Sequence, residues 1–182
     1  MKKIVLTFGL IAGVMLSAMM LMTVPFMDRI GFDKGLVIGY TTMVLAFLMV
    51  FFGVRSYRDN VAGGIVTFGR AFLVGLMIAL VASACYVATW EVVYYKLMPD
   101  LMRDHLEKYA AHAVEKAKKS GATEAQIAAQ TKEMKEFAEM YKNPLVNIAF
   151  TFIEPMPVGL LFTLVSAGVL SRKRREKVAA VA

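Results

Sequence analysis

The sequence predicts an all-α integral membrane protein: four transmembrane helices, with an extracytoplasmic antiparallel helical hairpin between the third and the fourth. Three observations predict it. The 182 residues are 58% hydrophobic with a mean hydropathy of +0.59, too apolar for an ordinary soluble domain. Four apolar stretches, almost free of charge, are each long enough for a hydrocarbon core of roughly 30 Å. Between the last two lies a charged, alanine-rich segment with no long apolar run. The chain divides into residues 1–95 (three spans), 96–142 (the hairpin) and 143–182 (the fourth span and a basic tail), all one membrane domain.

The first stretch follows Lys2 and Lys3 and runs without charge from Ile4 to Met27. A signal peptide opens in the same way, but its apolar core is about 7–15 residues long and ends at a small-residue cleavage site. This run is longer, and Thr23-Val24-Pro25-Phe26 is a poor cleavage site, so a retained span is expected. Gly9, Gly13 and Ser17 give it one smooth face for close helix contact. After a short polar turn, Gly35 to Val54 forms the second span, with Gly35 and Gly39 as weak support for packing.

Arg55, Arg58 and Arg70 surround the next turn and mark it as cytoplasmic. Beside a helix N-terminus they could hold a lipid phosphate. The plainer reading is an orientation anchor around the glycine turn Gly63-Gly64, and it is preferred. Thr67 is placed to cap the third span, Ala71 to Trp90. Ala71, Gly75, Ala79 and Ser83 make its small-residue face. Tyr86, Trp90, Tyr94 and Tyr95 are expected as an aromatic belt at the outer interface. Cys85, the one cysteine, reads as a packing residue.

In the hairpin, Pro99-Asp100 opens one helix and Gly121 stops it. Thr123-Glu124-Ala125-Gln126 matches a capping box and starts another. Ile127, Thr131, Met134, Ala138 and Tyr141 form its apolar stripe. His105 and His112, with Glu115 nearby, invite a metal reading. Seven residues of helix rise about 10 Å, too far for both imidazoles to reach one ion. No metal or cofactor is expected.

The fourth span, Leu145 to Leu170, would extend about 39 Å as a helix and must tilt or leave the core at one end. Glu154 is its only charged residue, and Pro155 and Pro157 disturb the helix there. Two readings stand. Glu154 is satisfied locally, by Lys96 or an aromatic hydroxyl under the hairpin, which is preferred. Alternatively, Glu154 and Glu91 share a proton or cation site.

The net charge of +7 does not point to nucleic acid. Acids and bases balance over Glu91–Lys142, nine against nine, and the excess sits at Lys2, Lys3, the arginine turn and Arg172 to Lys177. That distribution places both termini in the cytoplasm. No P-loop, paired cysteines, HExxH or GxSxG occurs, and no nucleophile–base pair is visible, so an enzyme is the least supported class.

Phe52-Gly53-Val54-Arg55-Ser56-Tyr57-Arg58-Asp59 and Phe68-Gly69-Arg70-Ala71-Phe72, with Gly75-Leu76, give the chain a family likeness. Tyr141-Lys142-Asn143-Pro144 and Glu154-Pro155-Met156-Pro157-Val158-Gly159-Leu160 extend it. On these motifs the chain resembles the domain of unknown function 4199 family of small bacterial membrane proteins. The resemblance implies a multi-pass protein of the bacterial inner membrane and carries over no activity. The expected function is non-catalytic, an accessory or assembly role exerted through contacts of the bundle and hairpin. The expected partners are the lipid bilayer and a membrane protein or second copy. The alternative is a small transporter or ion-conducting protein using Glu154 and Glu91.

Overall fold

A computed structural model describes residues 1–179; the side chains of Met102, Arg103, His105, Leu106 and residues 172–179 lie outside the description. The expectations for His105 and for the basic cluster Arg172 to Lys177 therefore fall outside the described residues.

The first apolar run folds as α1 (Lys2–Thr23), and Pro25 then turns the chain through a 3-10 step, Val24–Phe26, into α2 (Met27–Ile30). Gly31 breaks the path with φ +76°, a conformation that suits glycine. The helix α3 (Phe32–Asn60) is longer than its charge-free core, because Asp33 and Arg58 are accommodated in its first and last turns, matching the helix dipole. Thr67 caps α4 (Phe68–Val92) by accepting from the Arg70 amide. A π-helical turn, Val93–Leu97, leads to α5 (Pro99–Lys119). Gly121, at φ +82°, ends that segment. Thr123 and Gln126 form the reciprocal capping box that starts α6 (Glu124–Tyr141). Asn143 caps α7 (Pro144–Ile153), and α8 (Met156–Ala179) follows after Glu154 and Pro155. No strand occurs among the described residues. Four helical stretches are long and apolar enough to cross a membrane: Lys2–Ile30, Phe32–Asn60, Phe68–Leu97 and Pro144–Ser171.

The helices α3 and α4 pack on each other, and both pack on α1 and on α8. Small side chains set these approaches. A Cβ on Gly9 would stand 2.7 Å from Val81, and one on Gly13 would stand 2.6 Å from Cys85. One helical step further, the Thr89 hydroxyl donates to Ser17 Oγ at 2.7 Å. The face Gly9, Gly13 and Ser17 is thus the α1–α4 seam. On α4, Gly75 meets Thr163 and Ala79 meets Gly159 of α8, while Ser83 Oγ donates to Met156 Sδ at 3.8 Å. The small-residue face of α4 is therefore the seat of α8.

Around these seams lies a core of Phe47, Val50, Val54, Val74, Ile78 and their neighbours, all fully buried. Buried hydroxyls return their protons to their own helix: Thr163 donates to the Gly159 carbonyl and Ser166 to the Phe162 carbonyl. The bundle is tight only over part of its length. Burial on α3 begins at Thr42; before it, Phe32 and Asp33 meet α5, and Lys34 to Thr41 contain no buried residue. Gly35 and Gly39 lie in that part, and a Cβ on either would meet nothing within 4 Å. They are not packing glycines; they face open space.

Candidate functional site

The divergence of α3 opens a cavity of about 730 Å³ between α1, α3, α4 and α7, beneath α5 and α6. That is within the size range of small-molecule sites, roughly 300–1,000 Å³. Met19, Met20 and Thr23 of α1 line one wall, and Gly35, Gly39 and Thr42 of α3 the next. Tyr86 and Trp90 of α4 form the back. Tyr109 on α5 and Met134, Phe137 and Tyr141 on α6 form the roof. The exposed members of the wall are Gly31, Gly35, Leu36 and Tyr40 at and along α3, Phe150, Ile153 and Glu154 on and just after α7, and Tyr109 in the roof. Most of this exposed lining belongs to α3 and α7, so the cavity is open sideways between two membrane-length segments.

Side chains fix the roof at both edges. At one edge, Lys108 Nζ holds both oxygens of Asp28, at 2.9 and 2.8 Å, which keeps that ammonium above its usual range. Phe32 stacks on His112 with ring centroids 5.0 Å apart and meets Tyr109 edge-on at 5.8 Å. At the other edge, Phe137 meets Phe150 edge-on at 5.2 Å. The Tyr141 and Thr151 hydroxyls lie 3.3 Å apart, and burial pushes the Tyr141 phenol up.

Glu154 is the one carboxylate in the wall, and no Lys, Arg or His stands in it among the described residues. It sits at the break between α7 and α8, because Pro155 supplies no N–H to continue the ladder. The Tyr86 hydroxyl donates to Glu154 Oε2 at 3.0 Å. The partner is thus an aromatic hydroxyl and not Lys96, which is exposed. Glu154 is exposed, at the open side of the cavity.

Glu91 is not brought to the same place. It does not line the cavity, and its Oε1 is occluded without a hydrogen-bond partner. Glu91 lies inside α4, one residue before its end, and only Glu154 of the two acids lines the cavity. The aromatic cluster also differs from the expected belt. Tyr86, Trp90 and Tyr94 turn inward and line the cavity, while the Tyr95 hydroxyl donates to the Lys142 carbonyl at 3.3 Å.

Of the three arginines, two converge on Asp59: Arg58 Nε donates to Oδ1 at 2.7 Å, and Arg55 Nε lies 3.7 Å from Oδ2. Arg58 is buried and its Nη1 has no partner, whereas Arg70 is exposed in the first turn of α4.

Sequence reasoning passed over Asn147. It is fully buried on α7, where Oδ1 accepts from Trp90 Nε1 at 2.9 Å and from Thr151 Oγ1 at 3.2 Å. With Tyr141 this makes a polar chain from α4 through α7 to α6, immediately behind the cavity. The signal was present, since an amide inside a membrane-length apolar run needs a partner.

Neither a curated protein nor a solved structure matches the chain. The model of one family, described as protein of unknown function (DUF4199), matches residues 7–172. That match covers nearly the whole chain and includes every helix around the cavity, and the protein belongs to this family.

Proposed function

We propose that the protein is a non-catalytic, multi-pass protein of a bacterial inner membrane that binds a small apolar molecule drawn from the bilayer. The observation that carries this reading is the cavity of about 730 Å³ that opens sideways between α3 and α7. In this reading α5 and α6 form an antiparallel helical hairpin on the extracytoplasmic side, and both termini are cytoplasmic. Lys2, Lys3, Arg55, Arg58 and Arg70 then lie on the positive-inside face. Met134 and Tyr141 of the α6 stripe, with Phe137, face the protein's own cavity. The hairpin therefore acts first as a roof, and its charged outer face is what remains for a membrane-protein partner or second copy.

Trp90 is the only tryptophan of the chain and lines the cavity, so its fluorescence tests the reading directly. An uncharged brominated fatty alcohol is expected to quench Trp90 saturably in the wild-type protein. Gly39→Leu, which grows into open space, is expected to abolish the saturable part while leaving helix content intact. Equal quenching in both proteins would reject the reading.

The alternative, a transporter or ion-conducting protein, draws on the broken helix at Glu154–Pro155, an arrangement transporters use. Cation or solute flux into liposomes holding only this protein would favour it. Binding without flux favours the first reading.

A further inference from the structure

We propose that the cavity is a site for a lipophilic cation: a single positive charge carried on an aromatic or aliphatic body. This inference rests on the binding reading above and names the ligand class.

Charge complementarity comes first. Glu154 is the only carboxylate in the wall, and no cationic side chain among the described residues neutralises it there. Its one protein partner across the fold is the Tyr86 hydroxyl, which occupies Oε2. A hydroxyl donor orients a carboxylate but leaves its charge in place. An anionic amphiphile would meet that charge in a largely apolar surrounding, where like charges repel more strongly than in water. A fatty acid or acidic lipid is thereby disfavoured.

The walls add a second complementarity. Tyr86, Trp90, Tyr94, Phe137, Tyr141 and Phe150 all line the cavity. Aromatic faces attract organic cations, tryptophan most strongly, and the effect grows when the cation is desolvated. The methionines Met19, Met20, Met27, Met43 and Met134 supply further surface, which is deformable and accepts differently shaped bodies. A metal ion is not what this wall fits. One carboxylate with hydroxyls is a poor ligand set, and no group of three or more His, Cys, Asp or Glu is placed to hold one among the described residues.

The sideways opening between α3 and α7 completes the case. A hydrophobic cation dissolved in the bilayer reaches the site through Leu36, Tyr40, Phe150 and Ile153 without crossing the roof.

Two ions of the same shape and opposite sign separate the terms. Tetraphenylphosphonium and tetraphenylborate are each titrated against Trp90 fluorescence of the full-length protein in uncharged detergent. The phosphonium is expected to quench saturably, and the borate to bind at least about tenfold more weakly. Glu154→Gln is expected to reduce that preference by about tenfold while leaving saturable quenching by the brominated alcohol. Gly39→Leu is expected to lose both ions. Equal binding of the two ions by the wild-type protein overturns the proposal, as does an unchanged preference in a folded Glu154→Gln. If Glu154→Gln does not fold, the wild-type comparison alone decides. Saturable quenching by the alcohol without discrimination between the ions sinks the cation claim and leaves the binding reading standing. Absence of saturable quenching by all three probes removes both.

Discussion

The Tyr86 hydroxyl and Glu154 Oε2, 3.0 Å apart, join the middle of the packed bundle to the break in its last segment. The bond sets where α8 begins relative to α4. Tyr86→Phe deletes the donor and keeps the ring. Hydrogen bonds to charged groups contribute about 1.5–3 kcal/mol, so unfolding in detergent is expected to become easier by that amount. Glu154→Gln retains an acceptor and should lose less, on the order of 1 kcal/mol. Denaturation of the two variants side by side checks the order; a Tyr86→Phe protein as stable as wild type would show that the bond contributes nothing.

Asn147 serves two donors from full burial. Asn147→Ala leaves the Trp90 N–H without its acceptor and is expected to destabilise by about 1–3 kcal/mol. Thr151→Val removes one hydroxyl and should cost about 0.5–1.5 kcal/mol. The Trp90 emission maximum gives a second readout, shifting in Asn147→Ala and staying nearly fixed in Thr151→Val.

Gly13 and Gly39 belong to equivalent sequence patterns but to opposite environments. Gly13→Ala puts a methyl 2.6 Å from Cys85 and should force α1 off α4, at about 1–3 kcal/mol. Gly39→Ala meets nothing within 4 Å and should be neutral, or stabilising by up to about 1 kcal/mol through helix propensity. Thermal midpoints in one detergent compare the pair. A loss of stability in Gly39→Ala equal to that in Gly13→Ala would mean that α3 packs where the structure leaves it open.

Burial raises the Tyr141 phenol above its ordinary value. An acid whose folded pKa is raised keeps its proton in the folded state after the unfolded chain has lost it. Its contribution is therefore complete below about pH 10, the unfolded value, and falls as pH rises further. Stability should decline above about pH 10, and less steeply in Tyr141→Phe. Urea titrations at neutral and alkaline pH measure this; parallel declines in the two proteins would remove Tyr141 as a cause.

Local chemistry was legible in the sequence. Thr67, Thr123 with Gln126, and Gly121 act where their side chains and backbone freedom say they should. Four apolar runs and the double proline announced four helical stretches of membrane-crossing length and a break in the last one. The cavity was not legible, because it depends on how far two helices stand apart. Gly35 and Gly39 show that a face is smooth and do not show that another helix comes to it. Glu91 and Glu154 looked equivalent by depth alone, yet only Glu154 lines the cavity. Asn147 carries no formal charge and so escaped a search for charged residues, although its buried amide has the same need for partners.

The seat of α8 on α3 and α4 has a consequence for biogenesis. Gly75, Ala79 and Ser83 are synthesised before α8 exists, and translation from Val92 to Leu170 takes roughly 4–16 s at about 5–20 residues per second. During that interval the groove stands open to lipid. The nascent chain thus passes through a receptive state that its own last helix must close, and a ribosome stalled before Pro155 would leave a membrane protein with a vacant berth for its neighbours.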